Sequence, residues 1–449
     1  MQNQPSHCIA VIGGAVAGAE VAGTLAARGV EVAVFEQNPR PYGKIEDGLP
    51  RWHVALREKE YESIGEHLSR PGVHFVPKTR IGGDVGFREL VEGWGFSGVV
   101  LACGAWRDRP LPLPGADAYV GRGLVYQNPF IIWFNHAAER DYRGPGFEVE
   151  DGALVVGGGL ASIDVVKALM LENVRAKLAA RGIEQDLVEM EVKGIPKILE
   201  HHGIAYEDLG IQGCTLFYRR AEADMPLVEM PEGADAKRRE KVAASRAKLL
   251  GKAMEKYRFH FEPLCAPDGL IVEGERLVGL RFRRTRIEGS KVVTTDETFE
   301  RRGSMVISSI GSIPEPIEGV PMRGELFDWS DSLLGRLGDY PALFSAGNVV
   351  TGKGNIVASR KHARGVGEAM IASFLGLADD AGRGESALAD ALHADAKERA
   401  DEIADAIAKQ PPIAPEALAR LRARVAERQR KVGYAGEYKS WIEKNAPRS

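Results

Sequence analysis

Along the first three-quarters of the chain, short and wholly apolar runs alternate with Ala-rich stretches of helical spacing. "CIAVI" (8–12) and "EVAVFE" (31–36) flank "AGAEVAGTLAARG" (17–29), an order that predicts strand, helix, strand with the two strands parallel. "GVHFVP" (72–77) and "SGVVLACG" (97–104) predict further buried strands, since their apolar residues run on without polar alternation. The same order begins again at "GALVVGGG" (152–159), which leads into "LASIDVVKALMLE". Its next strand, "CTLFYRR" (214–220), comes after roughly 40 mostly helical residues, more than a minimal crossover needs. A basic helix entering a strand is predicted over 236–261 and a β-meander over 277–303. Two more buried strands are expected in "SMVISSIG" (304–311) and "ALFSAGNVV" (342–350), then an Ala-rich helical tail from about 385, broken at "PPIAPEA". The fold class is α/β, with two Rossmann-like units.

Composition narrows the setting without naming a chemistry. The chain has 449 residues, enough for two or three domains with their own cores. Its 59 basic and 63 acidic residues leave a net charge of −4, so neither nucleic acid nor a membrane surface is expected as a bulk partner. Cys8, Cys103, Cys214 and Cys265 are far apart and form no CxxC pair, which argues against a disulfide framework, a metal site and a redox dithiol. The N-terminus runs straight into a strand with no basic or cleavable apolar leader, and a soluble cytoplasmic protein is expected.

Chemistry concentrates at the two strand–helix turns. In Gly-x-Gly-x-x-Gly the first glycine makes a tight turn, the second admits backbone to a pyrophosphate, and the third lets helix and strand pack closely. Gly13, Ala15 and Gly18 take those places in the first turn, with alanine in the middle. Glu36 closes the following strand 23 residues after Gly13, where a carboxylate can accept both hydroxyls of a ribose.

The second turn carries Gly157, Gly159 and Ser162 in the same places, with Leu160 and Ala161 between. Its following strand ends in Arg219 and Arg220 instead of an acid. Guanidinium groups pair with a 2′-phosphate that a carboxylate would repel, so this turn is expected to take NADP(H) over NAD(H). Asp164, in the first turn of that helix, reads as a helix-start charge.

Two such turns, one followed by an acid and one by arginines, resemble those of the adrenodoxin-reductase type of ferredoxin–NADP⁺ reductase and of its relative, the small subunit of glutamate synthase. "PYGKIEDGLPRWH" (41–53), "VVLACGAWRDRPLPLPG", "LVYQNPFIIWFN", "SSIGSIPEPIEGVPM" and "FSAGNVVTGKGN" resemble blocks of that family in order, up to about residue 375, and "YRRAEADMP" is closer to the glutamate synthase relative. The resemblance implies an NADP domain (116–317) inserted into an FAD domain (1–115 and 318–449), with crossings near 110–120 and 312–322. It implies FAD held by Gly13, Ala15, Gly18, Glu36, Gly43, Gly48, Gly104, Gly347, Asn348, Gly354, Asn355 and Ile356. NADP(H) would be held by Gly157, Gly159, Leu160, Ala161, Ser162, Arg219 and Arg220. His53 matches the family's histidine near the flavin, and no metal is implied. The implied activity is hydride transfer from NADPH to FAD, then single electrons to a ferredoxin or similar acidic iron–sulfur protein.

The chain departs from that pattern at Lys44, Glu46 and Asp47, where the family has hydrophobic and basic residues. It departs also at Asn348, where the family has tryptophan or aspartate, and at Leu160, where it has asparagine. These departures bear on the electron partner and the flavin's tuning. Residues 237–258 hold nine Lys or Arg against two acids, a solvated face or a dock for an acidic partner. Cys103 reads as a small buried residue, and the protein is expected to be a monomer or homodimer. Two alternatives stay open: a flavoenzyme or electron-input subunit of the same architecture acting on a small molecule, and a nucleotide-binding subunit without catalysis.

Overall fold

The computed structural model describes residues 6–447 apart from 232, 332, 339, 353 and 378–408. The chain divides into two compact units, one of Met1–Glu46, Val54–Arg107 and Ser312–Ser449, the other of Asp47–His53 and Asp108–Gly311.

The first unit is built on a five-stranded parallel sheet in the order Leu343–Ser345, Gly98–Leu101, Cys8–Ile12, Glu31–Phe35, Val73–Val76. Four of these strands are buried along their whole length, as expected of a parallel sheet covered on both faces, and this is why their sequences do not alternate. Helix Val16–Ala26 crosses helix Ile356–Ala369 closely, for a Cβ on Gly367 would lie 3.0 Å from Thr24 Cγ2. Buried Glu20 ties this crossing together, accepting from Arg364 at 2.8 Å and facing His67 at 3.5 Å. Beyond the undescribed stretch, where the front of the expected helical tail falls, helices Pro415–Lys431 and Tyr438–Lys444 pack into this same unit.

The second unit repeats the plan, with parallel strands in the order Leu124–Tyr126, Val306–Ser309, Leu154–Gly157, Thr215–Phe217, His260–Glu262. The stretch between the third and fourth of these carries helices Leu160–Ala179, Leu187–Lys193 and Ile195–His201. The expected meander is an antiparallel sheet of Cys265–Glu273, Arg276–Glu288 and Lys291–Arg302, joined to the parallel sheet by Phe282 stacked on Phe217 at 4.2 Å.

One short piece lies apart from where the sequence alone puts it. Asp47–His53 groups with the second unit although the chain on both sides of it belongs to the first. The cause is a set of contacts to helix Gln127–His136: Asn135 Nδ2 donates to the carbonyls of Asp47 and Leu49, each at 3.1 Å, and its Oδ1 accepts from the Arg51 amide at 2.9 Å. His136 lies 3.0 Å from Asp47, and the buried Trp52 ring meets Phe134 edge-on at 5.2 Å.

Candidate dinucleotide-binding sites

In the first turn the backbone is packed to the limit that glycine allows. Gly13 has φ +101°, and a Cβ there would lie 2.6 Å from the Ala102 carbonyl oxygen. A Cβ on Gly18 would lie 1.8 Å from the Gly13 carbonyl oxygen, so the third glycine of the motif serves helix-to-strand packing. Ala15 is the N-cap of helix Val16–Ala26 in extended conformation. Its methyl faces Gly43, where φ is +50° and a Cβ would come within 2.9 Å of it. The alanine that departs from the motif is therefore accommodated by a residue with no side chain.

Glu36 is buried at the end of its strand, 5% exposed, and both its oxygens are held by amides. Gly14 N–H donates to Oε2 and Asn38 N–H to Oε1, each at 2.9 Å. Gly14 escaped the motif reading because the turn does not need it; the acid does. Gly104 (φ +70°) lies on the loop after strand Gly98–Leu101, which also carries the Ala102 carbonyl that faces Gly13. Gly347 (φ +81°) is packed so that a Cβ would be 2.5 Å from Ala17 Cβ, and its amide donates to His362 Nδ1 at 3.1 Å. Asn348 follows with its Oδ1 buried and without a hydrogen-bond partner among the described residues. Gly354, Asn355 and Ile356 form the start of helix Ile356–Ala369, with Asn355 Oδ1 capping the Ala358 amide at 2.6 Å. These residues all belong to the first unit, and their chemistry suits an adenine dinucleotide: an acid for a ribose, and helix starts, whose first amides lack intrahelical partners, for phosphate.

Gly48 and His53 fall in the piece that groups with the second unit, whereas the other residues expected around FAD belong to the first. The carbonyls on either side of Gly48 are those that Asn135 binds, which holds this stretch to helix Gln127–His136. His53 is one-third exposed, with its Nε2 4.0 Å from Asp164 Oδ1. Asp164 in turn lies 3.8 Å from buried Lys167, which pairs with Glu191 at 2.8 Å and sits over the Trp52 ring at 4.6 Å. The helix-start acid thus lies between His53 and the Lys167–Glu191 ion pair.

In the second turn the motif positions divide by task. A Cβ on Gly157 would lie 2.1 Å from Ser162 Oγ and 2.3 Å from the Ser309 carbonyl oxygen. Ser162 is fully buried and bonds Ser309 through its hydroxyl at 3.0 Å, so it packs helix against strand. Gly158, which the motif leaves open, is fixed by Tyr218, whose ring would be 2.1 Å from an added Cβ. Gly159 is the N-cap of helix Leu160–Ala179, and a Cβ there would meet nothing within 4 Å. The place at which backbone approaches a pyrophosphate is open, as it must be. Leu160, at the first helical position, is 56% exposed, and Ala161 beside it is half-buried.

Just past strand Thr215–Phe217, Arg219 is exposed while its carbonyl is tied to Thr285 Oγ1 at 2.9 Å. Arg220 donates to the Ser290 carbonyl at 2.7 Å, which anchors one of its nitrogens to the antiparallel sheet's turn. The basic helix spans Ala236–Tyr257 and starts with Asp235 capping the Arg238 amide at 2.6 Å. Arg246 is buried and holds the carbonyls of Val228 and Ala223, so it is structural; Lys237, Arg238, Arg239, Lys241, Lys248, Lys252 and Arg258 are exposed. Burial pushes the Cys103 and Cys265 thiols up to about 12, and the described residues contain no group of ligands that could hold a metal. Among the described residues no helix is long and apolar enough to cross a membrane.

The fold and the two turns define a class of architecture, two Rossmann-type units each carrying a glycine turn. Mycobacterium tuberculosis FprA, solved in complex with NADPH, has the same fold at a TM-score of 0.66 and 20% identity, over 95% of this chain and 91% of its own. Within that class the sequence likeness runs to the adrenodoxin-reductase type. The chain is 25% identical to human mitochondrial NADPH:adrenodoxin oxidoreductase over 364 residues, 73% of this chain and 70% of that protein. It is 28% identical to cindoxin reductase of Citrobacter braakii over 187 residues, 41% of this chain and only 38% of that protein's length. No family model matches the chain.

Proposed function

We propose that the protein is an FAD-dependent NADPH oxidoreductase that passes electrons to a ferredoxin-type iron–sulfur protein. One observation carries this reading: two turns of one design end in opposite charge, buried Glu36 after the first and exposed Arg219 after the second. The acid selects a free ribose in the first unit, and the guanidinium selects a 2′-phosphate in the second. Bound flavin supplies the exchange between two-electron hydride chemistry and single-electron transfer. The chain's own part is to hold, orient and exclude. Gly13, Gly14 and Gly18 keep the first turn tight around the Glu36 carboxylate, while Gly159 leaves the second turn's backbone open to phosphate. His53, 4.0 Å from Asp164, is a candidate for carrying a proton or stabilising charge, and the residues around Gly347–Ile356 complete the proposed FAD site.

The exposed cations of helix Ala236–Tyr257 would steer an acidic partner, an effect that acts on the association rate and is screened by salt. The names of the adrenodoxin and cindoxin reductases agree with a small redox protein as acceptor. The test is on purified full-length protein. It is expected to be yellow, to bleach anaerobically with NADPH far faster than with NADH, and to reduce cytochrome c rapidly only with added ferredoxin. Reversing Lys237, Arg238, Lys241 and Lys248 to Glu should slow the ferredoxin-dependent rate and flatten its salt dependence. Protein without flavin, or a ferredoxin rate untouched by the four reversals, would sink the corresponding part of the proposal.

A further inference from the structure

The C-terminal helices, Pro415–Lys431 and Tyr438–Lys444, hold on to the two loops around Glu36. The first loop leaves the strand at Glu36 and runs through Pro39; the second leaves the neighbouring strand at Val76 and runs through Thr79. The loops are joined to each other by Thr79 N–H donating to the Glu36 carbonyl at 2.8 Å and Lys78 N–H to the Asn38 carbonyl at 3.2 Å. Each is also gripped from the C-terminal side. Trp441 Nε1–H donates to the Pro39 carbonyl at 2.7 Å, three residues past the acid. Arg428 Nε–H donates to Thr79 Oγ1 at 2.9 Å, and its Nη2 reaches the Lys78 carbonyl at 3.3 Å and Asp84 at 3.1 Å.

These grips are built rather than incidental. Trp441, Arg428 and Thr79 are all buried. Tyr434 and Tyr438 meet Phe75 edge-on at 5.7 and 5.4 Å, and Gln429 Nε2 donates to the Phe75 carbonyl at 2.8 Å, so both helices are seated on the same strand. Lys78 has φ +49°, a left-handed conformation that costs a non-glycine residue free energy and persists only where its surroundings over-determine it. Arg428 on its carbonyl and the Trp441 ring under its ammonium, 5.2 Å away, supply that determination. Because Glu36 takes the Asn38 amide on Oε1, the same framework sets where its carboxylate points.

We infer that Trp441 and Arg428 are positioning residues for the adenosine end of the dinucleotide in the first unit, acting through the loops at 36–40 and 76–80. The inference rests on the reading that this unit binds FAD. It goes beyond that reading by making the C-terminal helices part of the binding site's framework.

The test compares full-length wild type with Trp441→Phe, which keeps the ring and removes the N–H, and with Arg428→Met. Flavin release from the purified protein is followed by fluorescence, and ADP, which carries the adenosine end alone, is used to compete with FAD rebinding. Losing one such hydrogen bond should speed FAD release about fivefold to tenfold and weaken ADP competition by a similar factor. NADPH affinity of Trp441→Phe should stay at the wild-type value, which a general loosening of the fold would not allow. Unchanged release in both variants, or faster release with ADP competition intact, would overturn the inference and leave the FAD reading standing. Wild-type protein that takes up no FAD would overturn both.

Discussion

The Gly14 amide donates to the Glu36 carboxylate at 2.9 Å, so the acid that ends the second strand also closes the glycine turn that follows the first. Removing the carboxylate leaves the buried Gly14 amide and the part-buried Asn38 amide without acceptors. Glu36→Ala should therefore weaken FAD binding at least tenfold and lower stability by about 1–3 kcal/mol, the cost of unsatisfied buried donors. Glu36→Gln, which keeps one carbonyl acceptor, should fall between. Flavin content on purification and the thermal midpoint of the flavin-free protein separate the two effects.

Arg219 is exposed at the end of its strand, while Arg220 already serves the Ser290 carbonyl. On the function proposed, Arg219 would be the stronger determinant of the 2′-phosphate. Arg219→Glu should lower kcat/KM for NADPH by about tenfold to a hundredfold, the range for a lost charge-assisted contact, with little loss for NADH. Arg220→Ala should act less on this ratio and more on stability. Steady-state kinetics with both nucleotides gives the answer, and equal losses for NADPH and NADH would contradict it.

The methyl of Ala15 occupies space that Gly43 vacates. Gly43→Ala would place a Cβ 2.9 Å from it at a residue with φ +50°, combining overpacking with a left-handed alanine. A loss of about 1–3 kcal/mol is expected. Adding Ala15→Gly should return the steric part and leave the conformational part, so the two substitutions should be non-additive in a double-mutant cycle of chemical unfolding.

His136 holds the Asp47–His53 piece through Asp47. Burial alone would lower its pKa, but hydrogen bonds to Asp47 and Glu139 outweigh that and raise it above the ordinary 6.5. A raised value means the charged ring's contribution is fully present below pH 6.5 and is lost as pH rises through the folded-state value. The His136 ring-proton resonance should titrate above 6.5 in wild type and at lower pH in Asp47→Asn. The Asp47–His53 backbone amides should exchange faster as pH rises through that midpoint than base catalysis alone accounts for.

Much of this was legible along the chain because it is written in short-range terms. In the first unit a glycine, a fixed spacing and the charge that ends the next strand lie within about thirty residues, the span of one βαβ unit, while in the second the strand ending in Arg219 is recognised by its own apolar run 62 residues after Gly157. Gly13, Gly18, Glu36, Gly157, Gly159 and Arg219 could be picked out on that basis. The basic helix, too, was visible as composition, although only packing could show that Arg246 is turned inward to two carbonyls.

Other assignments needed the chain to be folded. Gly14 and Gly158 look like spare glycines until the Glu36 carboxylate and the Tyr218 ring are beside them. Asp47–His53 reads as a continuation of the first unit, and only Asn135 and His136, more than eighty residues away, draw it into the second. Trp441 and Arg428 lie about 400 and 350 residues from the carbonyls they hold, with no local pattern to announce them. The sequence by itself determined the two nucleotide turns and the opposite charges that distinguish them, because spacing and strand-end chemistry are local properties of the backbone. Only the tertiary structure decided which side chains hold those turns in place, because a hydrogen bond or a buried ring selects its partner by distance in space, and the chain's order does not record that distance.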